Sequence, residues 1–287
     1  MKQESVKKIP MPIKVFLNSG LLFKACAVIA IAFIIIAVLT PIIAPYSPYE
    51  QDYSNMFGDV STDHWLGTDD LGRDVMTRLM YGARITLVTS LFSSLIAMFL
   101  GVLLGVTAGY FGGTWEQIVM KFTDMQLSIP PLILAMVLAA LFAKGIAGVT
   151  FIIGISVVPT YARMLHGITL SIRQEDYVMA CRLLGKNDLG IMLRHILPNC
   201  IPTVIVLFTM NLGSAIMLEA SLSYLGIGIV PPTPTWGGMV AAGYDYIMIE
   251  PLLALLPGIC IILVVVAFNV IGDTLRDVLD PRLKGKL

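Results

Sequence analysis

Hydrophobic and polar positions are separated along this chain into long blocks. Seven stretches contain no Asp, Glu, Lys or Arg: 25–49, 85–115, 125–143, 145–162, 195–218, 220–244 and 251–272. Each can supply the roughly 20 apolar residues that a bilayer-spanning helix needs, with 145–162 near the short limit. Because the apolar runs are continuous and do not alternate, they predict spanning helices and not a barrel.

One of these blocks is interrupted by its own residues. The stretch 220–244 contains Gly226, Gly228, Pro231, Pro232, Pro234, Gly237, Gly238 and Gly243. Proline removes a backbone donor and clashes with the preceding turn, so this stretch predicts an irregular or re-entrant loop. The remaining blocks predict six spans, near 23–44, 85–109, 125–143, 147–168, 199–218 and 251–272.

The positions of the basic residues support six spans. With the N-terminus inside, the inner segments carry fifteen of the nineteen Lys and Arg residues. The outer segments carry Arg73, Arg78, Arg84 and Lys144. Cytoplasmic loops are enriched in Lys and Arg, and a seventh span would place the basic C-terminus outside. We therefore predict an all-α membrane protein with six transmembrane helices and both termini cytoplasmic.

Composition agrees with an integral membrane protein that lies in a lipid bilayer. Only 13% of the residues are charged and the mean hydropathy is +0.85, whereas about a quarter of the residues of a soluble domain are charged. The run 25–44 is longer than a signal-peptide core, and Pro41 and Pro45 lie where small residues would precede cleavage, so we interpret it as an uncleaved first span. We predict no nucleic-acid partner.

The glycines of the second span predict a close helix crossing. Gly101, Gly105 and Gly109 recur every four residues, so one face of that helix has no side chains and another backbone can approach it. The four cysteines are scattered without metal-ligand spacing, which favours packing over redox or metal roles. They are Cys26, Cys181, Cys200 and Cys260.

The segment 175–198 is polar and basic although it lies between two apolar spans. Gly185 fits the left-handed position that ends a helix, and Asn187 or Asp188 can cap a second short helix that runs to Leu197. Pro198 then begins the next span. We expect two short helices at an angle, with Arg182, Lys186 and Arg194 exposed.

The order of residues in this segment resembles the signature of ATP-binding-cassette importer permeases: Glu-Ala-Ala, three residues, Gly, nine residues, Ile, one residue, Leu-Pro. Residues 179–181, Gly185, His195 and 197–198 occupy these places. Met179, Cys181 and His195 depart from the signature, so no salt bridge is assigned at Met179. The resemblance implies that Tyr177, Ala180, Arg182, Gly185, Lys186, Arg194, Leu197 and Pro198 couple the chain to an ATPase.

Other motifs are similar to the peptide and nickel importer permeases, specifically to their second permease subunit. These are HWLGTDDLGRD with YGARITL at 64–87, PPTPTWG at 231–237 and FNVIGDTLRDVLDPR at 268–282. The resemblance covers roughly 25–282 and implies a cytoplasmic tail at 1–24, a first span with an external loop at 25–84, and a permease core at 85–287. It also implies a bacterial inner-membrane location, a homologous second permease, two ATPase subunits and an external solute-binding protein.

The chain has no phosphate-binding loop of its own, because Gly185-Lys186 is followed by Asn187 and lacks the upstream glycine. We therefore predict no enzymatic activity, catalytic residue, cofactor or bound metal in this chain. ATP would be hydrolysed by separate subunits. Closure of those subunits would move the docked helices and open the spans outward by alternating access.

The external loop 45–84 contains a cluster of charges: Asp63, His64, Asp69, Asp70, Arg73 and Asp74. One histidine does not define a metal site, so we expect an ordered loop that pairs its own charges and contacts neighbouring subunits. At the other end of the chain, five residues are expected to form a paired inner-surface helix end. They are Asp273, Arg276, Asp277, Asp280 and Arg282.

Glu219 is the single carboxylate at the outer end of the fifth span. Ionisable residues at membrane depth are costly and usually face a cavity or the bundle interior. Two alternatives stay open: a residue of the translocation pathway or gate, or an interfacial carboxylate in water. Asn211 and Ser214, with Ser221 and Ser223, would extend a polar stripe from it. Asn269 is expected to pack or to bond near a helix terminus.

The solute predicted from the resemblance is a short peptide, with nickel, a metal chelate or glutathione as alternatives. A stand-alone secondary transporter would place charged residues or repeats at mid-membrane, and the spans have no charged residue at their centres. An intramembrane enzyme would need a nucleophile and base or a metal pair at membrane depth. His166 and His195 have no carboxylate at such spacing along the chain.

Overall fold

The computed structural model describes residues 20–142 and 145–279, and these residues form helices without a β-strand. Most of the predicted tail 1–24, Lys144, Asp280 and Arg282 lie outside the described residues. The helices are α1 (Leu21–Ile43), α2 (Val75–Phe111), α3 (Gly113–Leu127), α4 (Pro131–Phe142), α5 (Gly145–Arg173), α6 (Asp176–Leu183), α7 (Asp188–Ile191), α8 (Leu197–Tyr224), α9 (Trp236–Tyr244) and α10 (Leu252–Leu279).

The glycine face of α2 packs against α5, as predicted. A Cβ on Gly101 would overlap Tyr161, one on Gly105 would lie 2.5 Å from the Ala162 carbonyl oxygen, and one on Gly109 would lie 2.8 Å from the Thr169 Cβ. The residue numbers of the contacting positions therefore rise in the same direction along both helices. The two helices run parallel, and their backbones approach more closely than larger residues at the three glycine positions would allow.

The prediction of one continuous helix over 125–143 for the third span is wrong. The chain instead forms α3 and α4, which are bent by 94° at the break 128–130. Pro130 and Pro131 lie together at this break and remove two consecutive backbone donors. Because α2 and α5 run parallel, α3 and α4 together must return the chain to the other end of the bundle. Five continuous helices and this bent pair are apolar enough to cross a membrane, which agrees with six crossings.

Several other boundaries differ from the predicted ones. Helix α2 begins at Val75, ten residues earlier than expected, because the Asp74 carboxylate caps it by accepting from the Thr77 N–H at 2.7 Å. The predicted division at 84 therefore falls inside α2. The stretch 220–244 is only partly irregular, since α8 continues to Tyr224 and α9 begins at Trp236.

Glycines again permit the packing of α9. A Cβ on Gly237 would overlap the Ala220 backbone, and one on Gly243 would lie 2.5 Å from the Ala254 nitrogen. Helices α8 and α10 run antiparallel, because Gly213 lies beside Val265 whereas Gly272 lies beside Met210. The bundle thus has two ends, which we call the Gly185 end and the His64 end after the segments that connect helices there.

Candidate functional site

Gly185 ends α6 as the sequence predicted. Its φ of +75° is left-handed, the Lys186 N–H donates to the Cys181 carbonyl at 3.2 Å, and the Gly185 N–H donates to the Arg182 carbonyl at 3.0 Å. This pair of bonds is the Schellman motif, which satisfies carbonyls at a helix terminus. The turn therefore depends on a residue without a side chain.

The second short helix starts as predicted but does not end as predicted. Asn187 caps α7 by accepting from the Gly190 N–H at 3.1 Å. No break occurs at Leu197-Pro198, because α7 continues through a π-helical turn, Met192–Ile196, directly into α8. In that turn the Leu197 N–H donates to the Met192 carbonyl, five residues back. The changed register lets the helix pass Pro198, which has no N–H.

Tyr110, at the end of α2, contacts both short helices, α6 and α7. Its hydroxyl donates to Asp188 Oδ1 at 2.6 Å, and the Arg182 guanidinium lies over its ring, 4.6 Å from the centroid. The surrounding apolar cluster comprises Val106, Leu165, Val178, Cys181, Ile191, Met192, Ile196 and Cys200. Sequence reasoning missed Tyr110, because nothing in the charge-free block 85–115 marks it except its position after the glycine stripe.

Replacing Tyr110 by Phe removes the bond to Asp188 and keeps the ring under Arg182. A hydrogen bond to a charged group contributes about 1.5–3 kcal/mol, so local opening of 188–196 should become at least roughly tenfold more frequent. Hydrogen exchange of these amides measures it. Tyr224→Phe is the matched control, because Tyr224 is 43% exposed. Equal exchange in both variants would show that the Tyr110 bond contributes nothing.

The outward surface of this segment is apolar at its tip and basic around it. Leu183 is 89% exposed, Leu184 80% and Leu189 59%. Arg182, Lys186 and Arg194 are also exposed, as the sequence predicted. We call residues 182–189 the Gly185 tip.

The remaining predicted residues of the segment lie at the sides of the tip. Ala180 and Pro198 are exposed, whereas Leu197 is half-buried. The hydroxyl of Tyr177 accepts from Asn199 Nδ2 at 3.2 Å. The Nζ of Lys186 lies 3.3 Å from Nε2 of His195.

Asn211 and Ser214 lie together on the wall of a cavity of about 470 Å³ between α4, α5, α8 and α10. We call it the Asn211 cavity. Asn269 of α10 also faces it and lies against Gly213, which agrees with the expected packing role. Its side chain forms no hydrogen bond with the described residues, so the helix-terminus role is wrong. The full lining is Pro131, Leu132, Ser156, Val157, Thr160, Asn211, Gly213, Ser214, Met217, Leu218, Ser221, Val265 and Asn269.

Glu219 lies behind this wall and does not line the cavity. The residue is fully buried, and Ser223 Oγ donates to its Oε1 at 2.8 Å. Thr86 and Thr235 lie beside it, and the loop that leads to Trp236 covers it. In this structure Glu219 is therefore enclosed by protein, so the alternative of an interfacial carboxylate in water is wrong, and its role in the pathway or gate stays a prediction. The sequence could not show this, because one of the enclosing residues, Thr86, belongs to α2.

The loop at the His64 end pairs its own charges, as expected. His64 Nδ1 lies 3.0 Å from Asp74 Oδ1, and Asp69 Oδ2 lies 2.7 Å from Arg73 and 3.3 Å from Arg78. Arg78 also donates to the Pro48 carbonyl at 2.9 Å. Within the described residues, no three His, Cys, Asp or Glu side chains converge as metal ligands do.

Two ion pairs between α3 and α5 were not expected. His166 Nε2 lies 2.7 Å from Glu116 Oε1, and Arg163 pairs with Asp124. His166 thus has a carboxylate partner, 50 residues away along the chain, which spacing alone could not reveal. At the end of α10, by contrast, Asp273, Arg276 and Asp277 are exposed and form no ion pair with one another.

Comparison with known families and proteins agrees with this arrangement. Residues 101–285 match the model of the binding-protein-dependent transport system inner membrane component, and 22–58 match the N-terminal transmembrane domain of oligopeptide transport permease C. Glutathione transport system permease proteins GsiD from Escherichia coli, Shigella boydii and Shigella sonnei are each 40% identical over 260 residues. The match covers 90% of this chain and 86% of each relative.

The apolar helices, the two family matches and the extent of the identity show a multi-pass bacterial inner-membrane protein. The chain belongs to the binding-protein-dependent transport system inner membrane components, and within them to the permeases of the ATP-binding-cassette importers for peptides, oligopeptides and nickel.

Proposed function

We propose that this permease forms half of the translocation pathway for short peptides and that the Gly185 tip docks on a separate ATPase. The observation that carries the proposal is the exposure of Leu183 and Leu184 at the end of a polar segment. Large apolar side chains exposed together outside the apolar spans favour a protein interface. The basic residues around them would select an acidic surface on the partner.

The continuity of α7, the π-helical turn and α8 supports a mechanical role for this interface. Asp188–Tyr224 is one continuous helix of 37 residues, about 55 Å along its axis at 1.5 Å per residue. One end adjoins the Gly185 tip, and Asn211 and Ser214 lie further along it. Because the helix is continuous, a displacement of the tip would pass along it to the wall of the Asn211 cavity. The Tyr110 contacts would pass the same displacement to α2.

The lining of the cavity supports a polar solute of peptide type. Its polar members are amides and hydroxyls, which donate and accept hydrogen bonds as peptide groups do. The relatives at 40% identity are named as glutathione permeases, and glutathione is itself a small peptide, so we include it in the proposed class. Nickel or a metal chelate is the alternative within the same architecture, and a stand-alone secondary transporter is the alternative outside it.

In the proposed assembly the Gly185 end and both termini are cytoplasmic, and the His64 end faces the external binding protein. A homologous second permease completes the pathway. Two ATPase subunits hydrolyse ATP, and this chain performs no catalysis. The charge-paired loop at the His64 end would present Trp65, 65% exposed, to neighbouring subunits.

Replacing Leu183 and Leu184 together by Asp tests the docking surface. Burying two carboxylates at an interface is costly, so the ATPase should co-purify at least roughly tenfold less while the chain stays in the membrane. The measurement is a pull-down from detergent-solubilised native membranes, quantified by mass spectrometry. Val60→Asp is the control, since Val60 is 66% exposed at the opposite end. An unchanged ATPase yield, or a wild-type chain that transports alone, would reject the proposal.

A further inference from the structure

Two neighbouring buried polar atoms beside the Asn211 cavity have no hydrogen-bond partner among the described residues. They are the hydroxyl of Tyr161, a residue 1% exposed, and Nδ2 of Asn211, a residue 8% exposed. The two side chains lie against each other without reaching hydrogen-bond geometry. Because buried polar atoms are nearly always hydrogen-bonded, this unpaired arrangement points to the other orientation of the Asn211 amide.

A half-turn of the Asn211 amide resolves the pair. Its Oδ1 then accepts from the Tyr161 hydroxyl, and its Nδ2 points into the cavity as a donor. Which end of an amide is nitrogen is assigned from its hydrogen bonds, and this orientation satisfies the buried hydroxyl. In this orientation the Asn211 N–H donor faces the cavity, and the hydrogen bond from the Tyr161 hydroxyl to Asn211 Oδ1 fixes its direction.

Asn269 of α10 lines the same cavity as Asn211 of α8 and packs against Gly213 of α8. The absence of a side chain at Gly213 brings Asn269 Oδ1 to 3.1 Å from the position that a Cβ would occupy there. Asn269 is exposed to the cavity and has no partner among the described residues. Two amides from different helices thus line one cavity, and no residue that lines it is charged.

We propose that these amides form a binding site for a peptide group of the transported solute. Asn211 donates to a carbonyl or carboxylate oxygen, and Asn269 pairs with the adjacent amide. The proposal rests on the proposed function and extends it, because this chain then selects among solutes that the binding protein delivers.

The test uses the complete transporter with its binding protein, reconstituted in liposomes, and two labelled dipeptides of net charge −1 and +1. Asn211→Asp replaces the donor by a negative acceptor. It should lower uptake of the anionic dipeptide about tenfold more than uptake of the cationic one. Asn211→Leu and Asn269→Leu should raise KM for both dipeptides about fivefold or more.

Thr209→Val is the matched control, because it removes a polar atom from the same helix, where Thr209 bonds its own backbone at Ile205. The uptake ratio of the two dipeptides is independent of how much transporter is folded. An equal ratio in the wild type, Asn211→Asp and Thr209→Val, with unchanged KM in the leucine variants, would overturn the site while peptide transport stands. A wild-type transporter that takes up neither dipeptide would reject the proposed function and the site with it.

Discussion

A Gly105→Leu variant is expected to leave little correctly folded chain in the membrane. The first added carbon would lie 2.5 Å from the Ala162 carbonyl oxygen and 3.0 Å from the Leu165 Cβ. Both neighbours belong to α5, so relief requires separation of two long helices along the whole glycine stripe. Overpacking by single methylenes already costs about 1–3 kcal/mol, and here the obstructing atoms are backbone. We expect a loss at the upper end of that range or beyond.

The yield of monodisperse protein after detergent extraction measures this effect, and it should fall at least roughly tenfold. Gly258→Leu is the matched control, because a Cβ on Gly258 meets nothing within 4 Å. Both changes add the same apolar side chain to a spanning helix, so hydropathy and helix propensity change alike. Similar yields for the two variants would mean that the close contact of α2 with α5 does not stabilise the bundle.

The second large effect is expected at Gly185, where Asn and Val should differ. A left-handed residue other than glycine costs about 1–2 kcal/mol, but Asn adopts this conformation far more readily than a β-branched residue. Gly185→Asn should therefore keep most of the solute uptake, whereas Gly185→Val should lower it at least roughly tenfold. The space around Gly185 is open, so the series tests backbone conformation and not crowding.

Uptake is compared at equal amounts of chain in the membrane, with ATPase co-purification as the second readout. Gly258→Val is the control, since Gly258 also has open space but no positive φ. If Val and Asn at 185 support equal uptake, the Schellman turn is not needed to present the tip. If uptake falls while the ATPase still co-purifies, the turn serves to transmit movement and not to dock.

These expectations differ in how directly they depend on the family assignment. The Gly105 effect concerns packing alone and would hold for any protein with this helix crossing. The Gly185 effect depends on a partner at the tip, since the turn lies outside the apolar core of the spans. Together the two variants separate the stability of the bundle from its coupling.

The sequence by itself determined the class of the protein and much of its plan. Charge-free blocks imply spanning helices because charge is costly in a bilayer, and the glycine stripe implies a close crossing because of its spacing. The end of α6 at Gly185 and the cap at Asn187 could also be predicted, since both depend on residues only a few positions apart. The resemblance to importer permeases added the family, which the comparisons confirmed.

Only the tertiary structure decided features that depend on distant residues. The helix Asp188–Tyr224 continues through Pro198 by way of a π-helical turn, and the bent pair α3 and α4 makes the return crossing that the parallel α2 and α5 require. Thr86 of α2 and Thr235 enclose Glu219, Tyr110 reaches Asp188 across 78 positions, and Asn211 and Asn269 line one cavity from two helices. The local pattern of apolar and charged residues indicates whether each segment is more stable in lipid or in water. The packing of the helices against one another decides which side chains face a cavity, and this packing exists only in the folded protein.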